Sequence, residues 1–332
     1  IAPMSLRPQS HDIIRTWAFY TILKSHLLFK RIPWKDLIIN TFVLDPKGRG
    51  MSKSKGNAVW ADDLIEKYGV DAFRYWVGSA GIGNDLPFKE QELVAGERFL
   101  IKLWNASKFV FMHLKGYRHN KPKKIEAMDA WMLNKIAKLS EDIKNSYERY
   151  NIADARKRAE VFFWHDFCDD YLEIVKDRLY NPDKRGDDSR KSAQYTLYHS
   201  LLAILKFMAP IVPFITEEIY QSYFKNSEKD KSIHISRWPE FDRDVIDKKV
   251  EDEGNLAVDI IGIVRKEKAA KNKSLKEPVK RLGITCSKAV EKGLVPVLDD
   301  IKAVTKAEDI VFENGMNIPS NVNNEVKIGI FF

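Results

Sequence analysis

The sequence predicts a multidomain, mainly α protein. The end of a doubly wound α/β nucleotide-binding fold is expected over residues 1–95, an antiparallel helical bundle over 96–245, and a small α/β module over 246–332. Three observations carry this. An apolar, β-branched run leads into a Gly/Ser/Lys loop and then into helical patterns, the order found at the edge of a doubly wound sheet. Apolar residues then recur at helical spacing almost without interruption from Gly96 to Ser227. Beyond Ser236–Asp242 short strand-like runs surround one helix. A length of 332 residues with 44% hydrophobic content supplies cores for two or three domains.

Taken in order, Ser10 to Phe29 opens on a polar cap-like cluster and continues with Ile14, Trp17, Ala18, Thr21, Ile22 and Leu28, which predicts a helix packed on a sheet. Leu37 to Leu44 predicts a buried parallel strand. Asp62 or Asp63 caps a helix through Tyr68 that Gly69 ends, and a second helix spans Asp71 to Val77.

The bundle begins with a stripe of Leu100, Leu103, Val110, Phe111 and Leu114. Gly116 to Lys124 connects it to a second helix, capped by Asp129, with Met132, Ile136, Leu139, Ile143 and Tyr147 inward. A third helix from Ala153 to Tyr180 carries Phe162, Phe163, Trp164, Phe167 and Tyr171, whose spacing favours core packing over base stacking, and stops at Asn181-Pro182. A polar loop through Ser189 precedes a fourth helix, Ser192 to Met208; Pro210 and Pro213 break it before Phe214 to Tyr223. Val250 to Ala270 is amphipathic, with Leu256, Ile260, Ile263 and Val264 inward. Strands at Val279–Cys286, Asp309–Glu313 and Val326–Phe332 surround a helix near Leu294–Val304.

Two stretches carry candidate chemistry. Gly48 to Asn57 (GRGMSKSKGN) combines glycines and serines with Arg49, Lys53 and Lys55, just after Lys47; the mixture suits either a solvated surface loop or a loop that closes on a polyphosphate. The tract from Arg265 to Arg281 includes Arg265, Lys266, Lys268, Lys271, Lys273 and Lys276 against Glu267 and Glu277, and reads either as a solvated face or as a contact with a phosphate backbone. Net charge is +8, which favours a polyanionic partner without establishing one. Cys168 and Cys286 stand far apart, so neither a disulfide framework nor a cysteine zinc site is expected, and both read as core thiols. No run approaches the roughly 18 apolar residues of a membrane span, and no signal pattern opens the chain, so a cytoplasmic location is expected.

Met51 to Ser54 (MSKS) resembles the signature loop of class I aminoacyl-tRNA synthetases, KMSKS, with Gly50 in place of the first lysine. The resemblance implies ATP, with Mg2+, as a substrate; no zinc is expected in this chain. It places Ser52, Lys53 and Ser54 in catalysis, with Met51, Lys53 and Lys55 against ATP, and allows Arg49 or Lys55 to assist Lys53. Arg7 to Trp17 (RPQSHDIIRTW) resembles the valyl members of archaeal and eukaryotic type. This implies that Asp12 holds the ATP ribose, although it also suits a helix N-cap, and that His11 flanks adenosine. Trp17 would line the pocket for a branched amino acid, although core packing also explains it. Ser10 stands where the family has glycine. Leu103–Phe109 and Met208–Tyr220 resemble the helical domain that binds the anticodon stem-loop.

The implied function is ATP-dependent ligation of valine to its tRNA through valyl-adenylate, by a monomer with tRNA as partner. An isoleucyl enzyme and a non-catalytic tRNA-binding derivative are the alternatives. The family's other signature, HxGH, does not occur. The chain therefore reads as the C-terminal part of a longer enzyme, inactive alone.

Overall fold

The computed structural model describes residues 3–117 and 120–332. Residues 118 and 119, within the expected connection Gly116–Lys124, lie outside the described residues. Backbone contacts divide the chain into two compact units that are not consecutive in sequence. One comprises Ile1–Trp104, Ile143–Arg158 and Met208–Glu218; the other comprises Asn105–Asp142, Ala159–Phe207 and Ile219–Phe332. The boundary expected at 95 falls inside a helix, and the C-terminal module clusters with bundle segments.

The first unit opens with β1 (Met4–Ser10), parallel to β2 (Trp34–Asn40) with Ser10 opposite Asn40. Ser10, where the helix to Phe29 is expected to begin, therefore ends a strand instead, because pairing with a distant strand overrides local pattern. A 3₁₀ turn (His11–Ile13) and a π-turn (Ile14–Ala18) intervene before α1 (Phe19–Phe29). Asp12 lies inside the turn, so it is not an N-cap. Helix α1 buries no residue: Phe19, Tyr20, Leu27, Leu28 and Phe29 are exposed, contrary to the packed helix expected.

The single strand expected over Leu37–Leu44 is two. The chain leaves β2 at Thr41, whose hydroxyl donates to the Gly81 carbonyl (2.8 Å), and β3 (Phe42–Leu44) pairs in parallel with β4 (Asp85–Pro87). Between β3 and β4 lie α2 (Ala61–Tyr68) and α3 (Val70–Val77). Trp60 is the N-cap of α2, while Asp62 and Asp63 sit in its first turn, where their charge suits the helix dipole. Trp76, Phe88 and Leu93 form the local core with Val43, Val59 and Leu64.

Helix α4 (Glu90–His113) leads into the helical region, followed by α5 (Ala127–Glu148) and α6 (Ile152–Val161). A π-helical segment (Phe162–Tyr171) and α7 (Leu172–Tyr180) follow α6 without a break in the helical backbone. Phe162, Phe163, Phe167 and Tyr171 are buried there, as their spacing predicts, whereas Trp164, expected with them, is only half-buried. A short turn α8 (Pro182–Arg185) precedes α9 (Asp187–Met208), which starts inside the expected polar loop. Pro213 opens α10 (Pro213–Ile219), where the Asp71 carboxylate accepts the N–H groups of Phe214 (3.3 Å) and Ile215 (2.7 Å) that a helix start leaves unpaired.

In the second unit Asp129 is no cap. Within the first turn of α5 it is fully buried, paired with Arg178 (2.6 Å) and accepting from Tyr171 and Ser192. Helix α11 (Lys248–Ala270) buries Leu256, Ile260, Ile263 and Val264 as predicted. Its Gly254 lies against Trp131, where an added Cβ would fall 2.1 Å from a ring carbon, so only glycine fits. The C-terminal module comprises β5 (Val279–Thr285), α12 (Lys288–Leu294), α13 (Leu298–Thr305), β6 (Ala307–Phe312), β7 (Ile318–Pro319) and β8 (Lys327–Phe331). Its sheet order is β6-β5-β8-β7, with β7 beyond the strands predicted. Cys168 is buried and Cys286 only half-buried, so the second is not a core thiol.

Candidate functional site

The Gly48–Asn57 loop leaves the carboxyl end of β3, where ligands sit in open α/β sheets. Its stem is built on Asp45, 2% exposed. Asp45 Oδ1 accepts the backbone N–H groups of Lys47 (2.9 Å) and Arg49 (2.8 Å), and Oδ2 accepts Arg49 Nε (2.9 Å) and Asn57 Nδ2 (2.9 Å). The Asn57 hydrogen bond, with further bonds from Arg49 and Lys47, holds the Asp45 carboxyl well below the usual carboxylate range against the opposing effect of burial. Asn57 also donates to the Gly50 carbonyl (3.2 Å) and accepts from Ser52 N–H (3.1 Å), so one amide ties the two sides of the loop together.

Within the loop, Lys53–Lys55 form a 3₁₀ turn that Ser52 caps by accepting the Lys55 N–H, and Gly56 ends it at φ 64°. Ser52 and Ser54 hydroxyls lie 3.2 Å apart, and Met51 Sδ accepts from Val59 N–H at 3.3 Å. Lys53, Ser54 and Lys55 are exposed. Arg49, by contrast, has its guanidinium on the Asp45 carboxylate (Nη2 at 2.8 Å), so the help expected from it is not available without breaking the stem. Gly50 has no conformational need to be glycine: an added Cβ would meet only Phe42, at 3.8 Å.

His11 follows the carboxyl end of β1 and comes close to this loop's base, with its ring edge-on to Phe42 (5.4 Å) and Nδ1 3.7 Å from Asp85. Asp12 is exposed in the same turn. Trp17, 40% exposed, stacks on Trp34 (5.9 Å) beneath the Arg7 guanidinium (3.7 Å) and lines an open cavity of about 430 Å³ with Ile13, Thr16 and Tyr20. It is therefore no core residue. Sequence reasoning missed Asp45 and Asn57; the only signal for them was a turn-forming Asp ahead of a Gly-rich loop. It also missed Gln9, which is buried with both ends of its amide unpartnered among the described residues.

The basic tract is divided by the fold. Lys268 is 1% exposed and donates to the carbonyls of Leu275 (3.1 Å), Glu277 (2.5 Å) and Thr305 (2.9 Å), and burial pushes its ammonium below the usual lysine range. It closes the chain reversal after α11 and is withdrawn from any polyanion contact. Arg265 pairs with Asp170 (3.3 Å), and Lys273 pairs with Glu277. Lys266, Lys271 and Lys276 remain exposed.

Residues 1–89 match the family model of class I tRNA synthetases (I, L, M and V), and residues 129–282 that of the anticodon-binding domain of tRNA ligase. The valine–tRNA ligase of Rickettsia felis is 40% identical over 96% of this chain and 38% of its own length. That of Methanothermobacter thermautotrophicus is 39% identical over 93% and 34%, and that of Pyrococcus horikoshii 40% over 87% and 32%. The chain thus spans about a third of the length of these relatives. Among solved structures, the LeuRS-tRNA-LeuAMS complex of Agrobacterium radiobacter K84 aligns with TM-score 0.56 at 16% identity, over 74% of this chain and 30% of that one. Mycobacterium tuberculosis methionyl-tRNA synthetase with methionyl-adenylate gives 0.57 at 19%, over 66% and 44%. These two show a shared fold.

Proposed function

Because the chain belongs to the class I tRNA synthetases of the I, L, M and V group, we propose that the whole protein ligates valine to its tRNA through valyl-adenylate. This chain supplies the signature loop and the tRNA-binding helices. The carrying observation is Lys53: exposed, without an ion pair among the described residues, and mounted on a loop whose stem Asp45 and Asn57 fix.

In the proposed first step a valine carboxylate oxygen attacks the α-phosphorus of Mg2+-bound ATP. The bond to the β-phosphate oxygen breaks and pyrophosphate leaves with the electron pair. Lys53 meets the charge that builds on the phosphoryl oxygens. Because Asp45 neutralises Arg49, the loop presents Lys53 and Lys55 as its free cations. Trp17 and its cavity supply an apolar surface for the valine side chain, with Asp12 and His11 toward the nucleoside. A tRNA hydroxyl then attacks the acyl carbonyl and AMP departs. The exposed apolar face of α1 is the surface that the remainder of the catalytic fold would cover. In the second unit, Lys266, Lys271 and Lys276 contact the tRNA backbone.

Lys53→Ala in the full-length protein tests this reading. Adenylate formation should fall by about 10²–10³-fold, the value of one preorganised donor at a developing charge, with valine affinity nearly unchanged. Equal losses in rate and in valine affinity would refute it. The chain by itself, which contains no HxGH, should show no valine-dependent exchange of pyrophosphate into ATP.

A further inference from the structure

Trp60 lies immediately before α2, in extended backbone, and leaves 49% of its surface to solvent. Core packing does not account for an indole so placed. Its ring faces the signature loop, with Lys53 Nζ 5.2 Å from the ring centroid. The arrangement is braced from both sides. Val59 donates its N–H to Met51 Sδ, tying the residue before Trp60 to the one that opens MSKS. Asn57 is fixed by Asp45, Gly50 and Ser52, so the span from 57 to 60 is held beside the loop tip. Lys53 has no carboxylate competing for its ammonium among the described residues, which leaves it to the indole face.

We infer that Trp60 is a rest cradle for Lys53: it holds the ammonium over its ring in the unliganded loop and gives it up when a polyphosphate binds. This rests on the reading of Lys53 as a phosphate contact. A cation and a π face attract through the ring quadrupole, strongly enough at an exposed site to bias the side chain and weakly enough for a polyphosphate to outcompete it. A contact present only in the free state opposes binding by its own equilibrium factor. Trp60→Leu should therefore tighten tripolyphosphate binding by about two- to five-fold, with Trp60→Phe in between. In a Lys53→Met background the effect of Trp60→Leu should vanish.

The test is fluorine NMR of this chain labelled with 5-fluorotryptophan, the Trp60 resonance being assigned by its disappearance in Trp60→Phe. Lys53→Met should shift that resonance, and tripolyphosphate should move the unsubstituted protein's resonance toward the Lys53→Met position. An unchanged resonance in Lys53→Met would overturn the cradle. A shift in Lys53→Met with no response to tripolyphosphate would overturn the release step together with the phosphate role of Lys53. If tripolyphosphate binds through Lys53 but Trp60→Leu binds it no more tightly, the cradle is overturned and the phosphate role stands.

Discussion

Replacing Asp129 by Ala should be among the most destabilising single changes in the second unit. Asp129 and Arg178 have fully buried side chains, joined by Nη1–Oδ2 (2.6 Å) and Nη2–Oδ1 (3.0 Å). Without Asp129, the Arg178 charge keeps, among the described residues, only the Asp300 ion pair, through Nε at 3.4 Å, and Asp300 is already shared with Arg185 at 2.8 Å. Tyr171 loses its hydroxyl's acceptor at the same time. Breaking a buried pair by removing one partner costs about 3–5 kcal/mol, and the residual Asp300 contact places this case toward the lower end. That is a large part of the ~5–15 kcal/mol that holds a typical domain. Urea unfolding of the chain, followed by tryptophan fluorescence and far-UV circular dichroism, measures it. Arg178→Met added to Asp129→Ala should cost less than the two single changes summed, by about 0.5–3 kcal/mol. A loss below ~1 kcal/mol for Asp129→Ala, or strict additivity of the pair, would refute the reasoning.

In the full-length protein, Gly50→Lys should fold with stability within about 0.5 kcal/mol of the parent, because the position has room. It should also raise the adenylation rate by about tenfold or more, as a second cation reaches the phosphates; an unchanged rate argues against the loop's assigned chemistry. Changing Lys266, Lys271 and Lys276 together to Gln should lower the slope of log affinity for tRNA against log salt by about 0.7–0.9 for each phosphate no longer neutralised. Lys268→Gln should instead lower the unfolding midpoint, since three carbonyls lose their buried donor. Burial pushes the Asp170 carboxyl up to about 6, with Asp166 and Asp169 adding to the effect and Arg265 and Lys135 opposing it. The folded state then binds more protons than the unfolded state between about pH 4 and 6, so stability falls as pH rises through that window. Asp170→Asn should flatten this fall in urea midpoints, and identical pH profiles for the two proteins would refute it.

Part of this molecule follows from local chemistry and can be read directly along the chain. The helical spacing of Phe162, Phe163, Phe167 and Tyr171 placed them in the core, and the amphipathic pattern of α11 named its inward face. The order Met51-Ser52-Lys53-Ser54 marked the loop. The rest depends on partners far away in sequence, which only folding brings together. Ser10 looked like the start of a helix and instead ends a strand, because Asn40 stands opposite it. Asp129 had the position of a cap, yet a guanidinium 49 residues away made it the hub of a buried charge cluster. Lys268 was one lysine among many until the chain reversal wrapped three carbonyls around it, and Arg49 belonged to the loop's cations until Asp45 claimed it. A charge is legible in sequence, but whether it is free to act depends on which opposite charges, carbonyls or ring faces the fold brings within about 4–6 Å of it.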